Sequence, residues 1–377
     1  MAKNHHPTRL YWAVVLAVFA VIGLALPAQS DARSAALQKV IDGAKKEGLL
    51  KLLWTEDHFG AETGIQAVID GMNKRYGTNV SLQFTQGGEF FQILGRLTQE
   101  HRAKQRASTD IFLAGSVQVI SGLQTGMLEK VDWEALVERP APARPLLDRV
   151  APEGVAMAVA SRVVGIVYNK NLVKGADVPV SMEDVLKPKF NGQIATTPFV
   201  TGFYQNSAPE VLSIEYIRGY ARRLAPLLGG MIGCNNLDPV ASGQFAILIF
   251  DCGRDATLRY QKKGAPLEQA VPTEVIRDNV IYLGVPKQAE HPNAAKLFIS
   301  FVHTEEGQDL LWKYGAYDLE IYPESDSYKL IQGFRKKYPT AKYNADTAQW
   351  QIDLDKRGIN VMAYQKEIQN IFRTAKK

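Results

Sequence analysis

Residues 155–168 read Val155-Ala156-Met157-Ala158-Val159-Ala160-Ser161-Arg162-Val163-Val164-Gly165-Ile166-Val167-Tyr168. Two apolar, β-rich runs, Val155 to Ala160 and Val163 to Tyr168, flank the polar pair Ser161-Arg162. Runs of this kind predict strands buried on both faces. They decide the fold because a separate α/β unit lies on each side of them. A strand crossover, rather than a floppy linker, therefore joins the two units.

On the N-terminal side, residues 33–48 place Leu37, Val40, Ile41 and Ala44 on one helical face, and Gly48 stops the helix. A strand follows at Leu49 to Trp54. The next helix carries Ile65, Val68, Ile69, Met72 and Tyr76 and closes at Gly77. A strand Val80 to Phe84, a helix with Phe90, Ile93, Leu94 and Leu97, and a strand Ile111 to Ala114 complete the unit. Strands alternating with helices imply βαβ units on a parallel sheet. Pro140, Pro142 and Pro145 then mark a linker or wrapping loop.

On the C-terminal side, Ser181-Met182-Glu183-Asp184 fits a capping box and Phe190-Asn191-Gly192 a turn. Strands are expected at Gln193 to Thr197, Phe245 to Phe250 and Val280 to Val285, and one long amphipathic helix at Ala294 to Trp312. The expected fold is therefore α/β and two-lobed, with a β-strand hinge and a cleft between the lobes.

The first 32 residues read as a cleaved export signal. Lys3 and Arg9 precede an uncharged apolar run from Leu10 to Leu26, and small residues follow at Ala28, Ser30 and Ala32. Seventeen apolar residues stand at the short limit for a membrane span, and no basic stop-transfer flank follows. Removing Lys3, Arg9 and Asp31 takes the net charge from +5 to +4. The remaining charge is spread out, and Arg335-Lys336-Lys337 lacks interleaved aromatics, so nucleic acid is not an expected partner.

Catalytic motifs are absent: there is no G-x-S-x-G, H-E-x-x-H, P-loop or helix-opening G-x-G-x-x-G. His58, His101, His291 and His303 have no second ligand at metal spacing and read as surface or capping residues, with His58 a partial exception. No enzyme activity, cofactor or resident metal is expected.

Ligands of open α/β sheets gather at the carboxyl ends of strands. The loops there supply Thr55 and Glu56 after the first strand, Gly88 before a helix that could hold an anion, and Ser116 after the third. The second unit adds Thr201, Asp251 and Arg254, and the crossover adds Arg162. Each loop is a weak signal alone; together they suggest a composite small-ligand site. Cys234 and Cys252, an isolated pair in an exported chain, are expected to form a bridge, with two packed thiols as the alternative.

The order of several short motifs resembles the extracellular solute-binding proteins of ABC importers, in the group that binds ferric iron, thiamine or phosphonates. The carriers are Ala44-Lys45-Lys46-Glu47-Gly48, Thr109-Asp110-Ile111, Val164 to Asn169, Leu186 to Ile194, Ser242-Gly243-Gln244-Phe245 and Pro292 to Phe298 with Glu306-Gly307-Gln308. The resemblance implies a type II periplasmic-binding-protein fold, the Venus flytrap. It also implies closure on a ligand and delivery to an ABC permease in the inner membrane, by a protein expected to be a monomer in the periplasm. The resemblance leaves the ligand open between a small anionic solute and a metal complex; Arg162 and Arg254, whose forks suit a carboxylate or phosphonate, suggest the anion. Lobe 1 would comprise 33–160 with 280–325, and lobe 2 would comprise 161–279 with 326–377 and the C-terminal helices. Ferric-binding members use adjacent tyrosines, and this chain has no Tyr-Tyr pair; Tyr216 and Tyr220, one helical turn apart, read as packing residues. A sensor subunit and an exported enzyme with scattered residues are the other readings.

Overall fold

The computed structural model describes Met1 and residues 33–55, 58–138 and 146–374. The expected export signal, Glu56 and the proline-bearing loop 139–145 lie outside the described residues. The first strands are β1 (Leu49–Trp54), β2 (Ser81–Gln86), β3 (Phe112–Gly115), β4 (Met157–Val164) and β5 (Ile166–Asn169). They are followed by β6 (Ile194–Thr196), β7 (Leu228–Met231), β8 (Ile247–Ile249), β9 (Leu267–Ala270), β10 (Val275–Gly284) and β11 (Lys342–Asp346). β1 and β2 pair in parallel. β10 is the hub of a second sheet, with β11 parallel to its first half and β3 and β4 antiparallel to it. A third sheet runs in the order β7-β6-β8-β5-β9.

These sheets and their helices bury two principal cores. One gathers Trp54, Phe59, Val68, Met72 and Phe298, and the other gathers Ile166, Phe203, Tyr220, Phe250 and Phe372. Local chemistry sets the element ends. The helix Ala35–Glu47 begins where the Ser34 side chain accepts the Leu37 amide, and it ends at Gly48 with φ 63°. Its buried residues are Leu37, Val40, Ile41 and Ala44, the face that the spacing marks. Tyr220 packs inside the second core and donates its hydroxyl to the Met182 carbonyl at 2.8 Å, in keeping with a packing role.

Three expectations are corrected. First, the long helix Ala294 to Trp312 is two helices, Pro292–Phe301 and Glu305–Gly315. Thr304 makes the break: its hydroxyl donates to the Phe301 carbonyl at 2.7 Å and accepts the Gly307 amide at 3.0 Å. The apolar periodicity runs across this break and hides it. Second, Ser161 and Arg162 lie within β4, not between two strands; the chain breaks at Gly165 instead. The polar pair is tolerated because its needs are met by β10 and its surroundings. The Ser161 hydroxyl sits 3.0 Å from Asp278 Oδ2 and 2.9 Å from Glu320 Oε2, and the Arg162 amide donates to Asp278 Oδ1 at 3.0 Å. Third, His303 is buried, its Nδ1 2.8 Å from the Tyr322 hydroxyl, rather than at the surface.

β10 also starts earlier than its apolar half implies, running through Arg277-Asp278-Asn279. The C-terminal segment ties the hub sheet to the second core. Its β11 lies on β10, its helix Ala348–Lys356 packs on the helix Ser116–Thr125, and Ile368 and Phe372 of its last helix enter the second core. No helix of the described residues is long and apolar enough to cross a membrane.

Gly165 allows the close approach that lets β4 pass into β5, since an added Cβ would stand 2.6 Å from the Ala270 carbonyl oxygen. Gly165→Ala should therefore lower stability by about 1–3 kcal/mol. Urea unfolding at constant m-value measures this; a midpoint equal to the parent's would show that the junction is slack.

Candidate functional site

The middle of the β4–β10 ladder collects side chains from both cores. Successive residues of a strand face opposite ways. In register, Arg162 stands opposite Asn279 and Val164 opposite Arg277, while β11 sets Asn344 beside Arg277 and Asp346 beside Asn279. Arg162, Arg277, Asn279, Asn344 and Asp346 thus share one face of the hub sheet.

Arg162 is buried and clasps Asp255 through Nε at 2.7 Å and Nη2 at 3.1 Å. Arg259 reaches the same carboxylate at 2.7 Å. Burial alone would raise the Asp255 pKa, but the Arg162 and Arg259 guanidinia overcome it and hold the carboxyl below its usual range. The Arg162 guanidinium also lies 5.6 Å from the Tyr317 ring centre, and His58 stacks on that ring at 5.9 Å. Thr55 Oγ1 and His58 Nδ1 lie 2.5 Å apart. Burial first, and then Arg162, lower the His58 pKa to about 3, so the ring is neutral at physiological pH.

From the other core, Asp251 closes the end of β8. Its Oδ1 accepts the Gly165 amide at 2.8 Å and its Oδ2 accepts from Gln269 at 2.6 Å. Burial raises its pKa to about 7, against the pull of those hydrogen bonds. The Cys252 carbonyl accepts from Asn279 Nδ2 at 3.2 Å, and its sulfur lies 3.5 Å from the Thr201 hydroxyl. Cys252 is bridged to Cys234, with Cα atoms 5.4 Å apart. Gly253, at φ 150°, leaves room for Arg162, whose Cβ would be 2.5 Å from an added Cβ. Ser116, the first residue of its helix, donates to Asp346 Oδ1 at 2.6 Å.

The sequence-derived candidates therefore divide. Thr55, Ser116, Arg162, Thr201 and Asp251 are buried; Arg162 belongs to the ladder, Ser116, Thr201 and Asp251 reach it in two contacts, and Thr55 in three, through His58 and Tyr317. Gly88 is exposed, and the helix after it is closed by its own capping box between Glu89 and Gln92. Arg254 is one-third exposed and pairs with Asp326. Among the described residues no group of three His, Cys, Asp or Glu side chains is placed to hold a metal ion. Arg277, Asn279 and Asp346 were not marked as site residues. The signal for the first two was a polar triplet, Arg277-Asp278-Asn279, set inside an apolar run from Val275 to Val285.

A sequence profile of bacterial extracellular solute-binding proteins matches residues 108–339. No curated protein matches the chain in sequence. Among solved structures, the substrate-binding protein of an ABC transporter from Agrobacterium tumefaciens is similar, at TM-score 0.66 and 14% identity, covering 86% of this chain and 97% of that one. The periplasmic binding protein AgtB from A. tumefaciens R10, in complex with agropinic acid, gives TM-score 0.61 at 17% identity, covering 86% and 99%. The Trichodesmium protein IdiA (FutA), with iron and citrate, gives 0.59 at 18%, covering 87% and 99%. At these identities the likeness shows the two-lobed periplasmic-binding-protein fold.

Two tests follow from this geometry. The bridge closes a loop with a sequence separation of 18, which contributes about 3 kcal/mol in the chain-entropy model. Cys234→Ser with Cys252→Ser should lose about that much in chemical unfolding, and dithiothreitol should cost the parent a similar amount; indifference to reductant would contradict the bridge. The second test concerns pH. Asp251 has a folded pKa of about 7, above its ordinary 3.8. The stability it contributes is therefore present in acid and is lost as pH rises towards 7. His58, depressed from 6.5 to about 3, acts oppositely and loses stability as pH falls through that window. Asp251→Asn removes the first effect, so its melting temperature should fall more steeply than the parent's between about pH 7 and pH 4. Parallel melting curves across that range would refute the assignment.

Proposed function

The chain belongs to the bacterial extracellular solute-binding proteins, a family of binding proteins rather than enzymes, and from that membership we propose that it is the periplasmic substrate-binding component of an ABC importer. It captures a small anionic solute in the cleft between its lobes and hands it to a permease in the inner membrane. The observation that carries this reading is the convergence of strand-end side chains from both cores on the β4–β10 ladder. Thr55, through His58 and Tyr317, and Ser116, through Asp346, reach it from one side. Thr201, through Cys252, and Asp251, through Gly165, reach it from the other.

In this reading the lobes are residues 33–160 with 280–325 and residues 161–279 with 326–377, and the strands that cross between them bend on closure. Ligand favours the closed form by its differential affinity for the two states. The guanidinia of Arg162 and Arg277 at the ladder, with no adjacent tyrosine pair in the chain, support an anionic group over a bare metal ion.

A thermal-shift screen of carboxylates, phosphonates, thiamine and ferric citrate identifies the ligand. At 100 times Kd it should add about 2.7 kcal/mol of stability. Small-angle scattering with that compound at saturation should show a smaller radius of gyration. An unchanged radius would remove hinge closure from the reading.

A further inference from the structure

Arg277 is 1% exposed, yet only its Nη2 has a partner, Asp346 Oδ2 at 2.5 Å. Its Nε and Nη1 are buried without one, and two residues along the same face the Asn279 side-chain oxygen is also buried without a donor. A guanidinium carries five N–H donors and no acceptor, whereas an amide oxygen only accepts. Buried polar atoms are almost always satisfied, so these two donors and one acceptor, set on one face of the hub sheet, are groups that a bound ligand could complete. Nε and Nη1 belong to different edges of the guanidinium, so a single carboxylate cannot grip both. A second oxygen is required, and if that oxygen is a hydroxyl its proton is free for Asn279.

The charges near this face set a limit. Arg277 is balanced by Asp346, while Arg162 and Arg259 share the single carboxylate of Asp255. One positive charge is left over, and Asp251 offsets it fully only above neutrality. One anionic group suits the site; two do not.

We propose that Arg277 and Asn279 recognise a small hydroxy-monocarboxylate, with its carboxylate on one edge of the Arg277 guanidinium and its hydroxyl bridging the other edge to Asn279 Oδ1. This inference rests on the solute-binding reading and names the ligand class for that same cleft. The Asp346 carboxylate, which also accepts from Ser116 at 2.6 Å and Gln351 at 2.7 Å, holds Arg277 in place.

The test is titration calorimetry of the purified chain with glycolate, lactate, glycerate and gluconate, with propionate and hexanoate lacking the hydroxyl, with malate and succinate, and with sorbitol. At least one hydroxy-monocarboxylate should bind, and its deoxy partner should bind about tenfold or more weakly, because Asn279 and one guanidinium edge would stay unpaired. Arg277→Lys keeps a charge for Asp346 but loses the planar fork, and should weaken that ligand by about tenfold or more. Asn279→Ala leaves the ion pair intact and should bring the ratio of hydroxylated to deoxy ligand close to one. If Arg277→Lys does not fold by circular dichroism, the Asn279→Ala ratio carries the test. Binding only by malate, succinate or sorbitol, or by nothing in the panel, overturns the ligand class. Affinity unchanged in both variants places the site elsewhere. In each case, closure on some other solute in the scattering experiment still separates this failure from failure of the solute-binding reading.

Discussion

The antiparallel ladder between β4 and β10 is the constraint on which the rest of the structure depends. Its central residues, Ser161, Arg162, Arg277, Asp278 and Asn279, are polar or charged, and four of the five are buried. Charges in a low-dielectric interior are tolerable only when paired and hydrogen-bonded. The ladder supplies those pairings by drawing partners from distant parts of the chain: Asp255 for Arg162, Asp346 for Arg277, and Ser161 with the Arg162 amide for Asp278. On the face of Asp278, Arg149 pairs with Glu320, and burial together with the Glu320 charge pushes the Asp278 carboxyl upward. Removing any one partner would strand a charge in the interior, so the two cores and the C-terminal segment are tied to a single register.

The second core meets this ladder with a preshaped edge. Thr201, Cys252 and Gly253 lie on turns fixed by a bridge, by hydrogen bonds and by glycine geometry, rather than on a loose loop. Gly202 sits at φ 79° with Phe250 so close that an added Cβ would come within 2.5 Å of its ring. Rigid strand ends of this kind lower the ordering cost of binding. In the proposed closure, bending would fall on the few residues where β4 leads into β5 at Gly165 and where β10 leaves its polar centre for its apolar half.

Much of this was legible in the sequence, and the limits have physical causes. Helical faces such as Leu37, Val40, Ile41 and Ala44 follow from period 3.6, and short buried strands such as Leu49–Trp54 follow from apolar runs. Both are local properties. The break at Thr304 was missed because the apolar spacing continues across it while the capping hydroxyl does not alter hydropathy. The polar start of β10 was missed because strands are recognised by apolar residues, and Arg277-Asp278-Asn279 interrupts them. Asp346 is a different case: nothing near it in sequence signals its role, which comes from β11 pairing with a strand some seventy positions earlier, Asn279 against Asp346. Arg162 was legible as a residue of interest, but its partner Asp255 was not, so the sequence suggested a free cation where the fold places a clasped one.

That distinction bears on how the proposed site would select a ligand. A net charge of +5 over 377 residues is too diffuse to choose among small anions, and at physiological ionic strength exposed charges are screened within about 8 Å. Selectivity must come from buried groups, and most buried charges here are already matched. Arg162 is matched by Asp255, and Arg149 by Glu320. A matched pair contributes field and shape but offers no open hydrogen bond. In the proposed site the discriminating groups would be those the protein leaves incomplete, because a ligand that completes them gains hydrogen bonds that matched pairs cannot offer. The ladder thus has two roles that depend on each other: the pairs that hold it together also fix the positions of the few donors and acceptors that remain open.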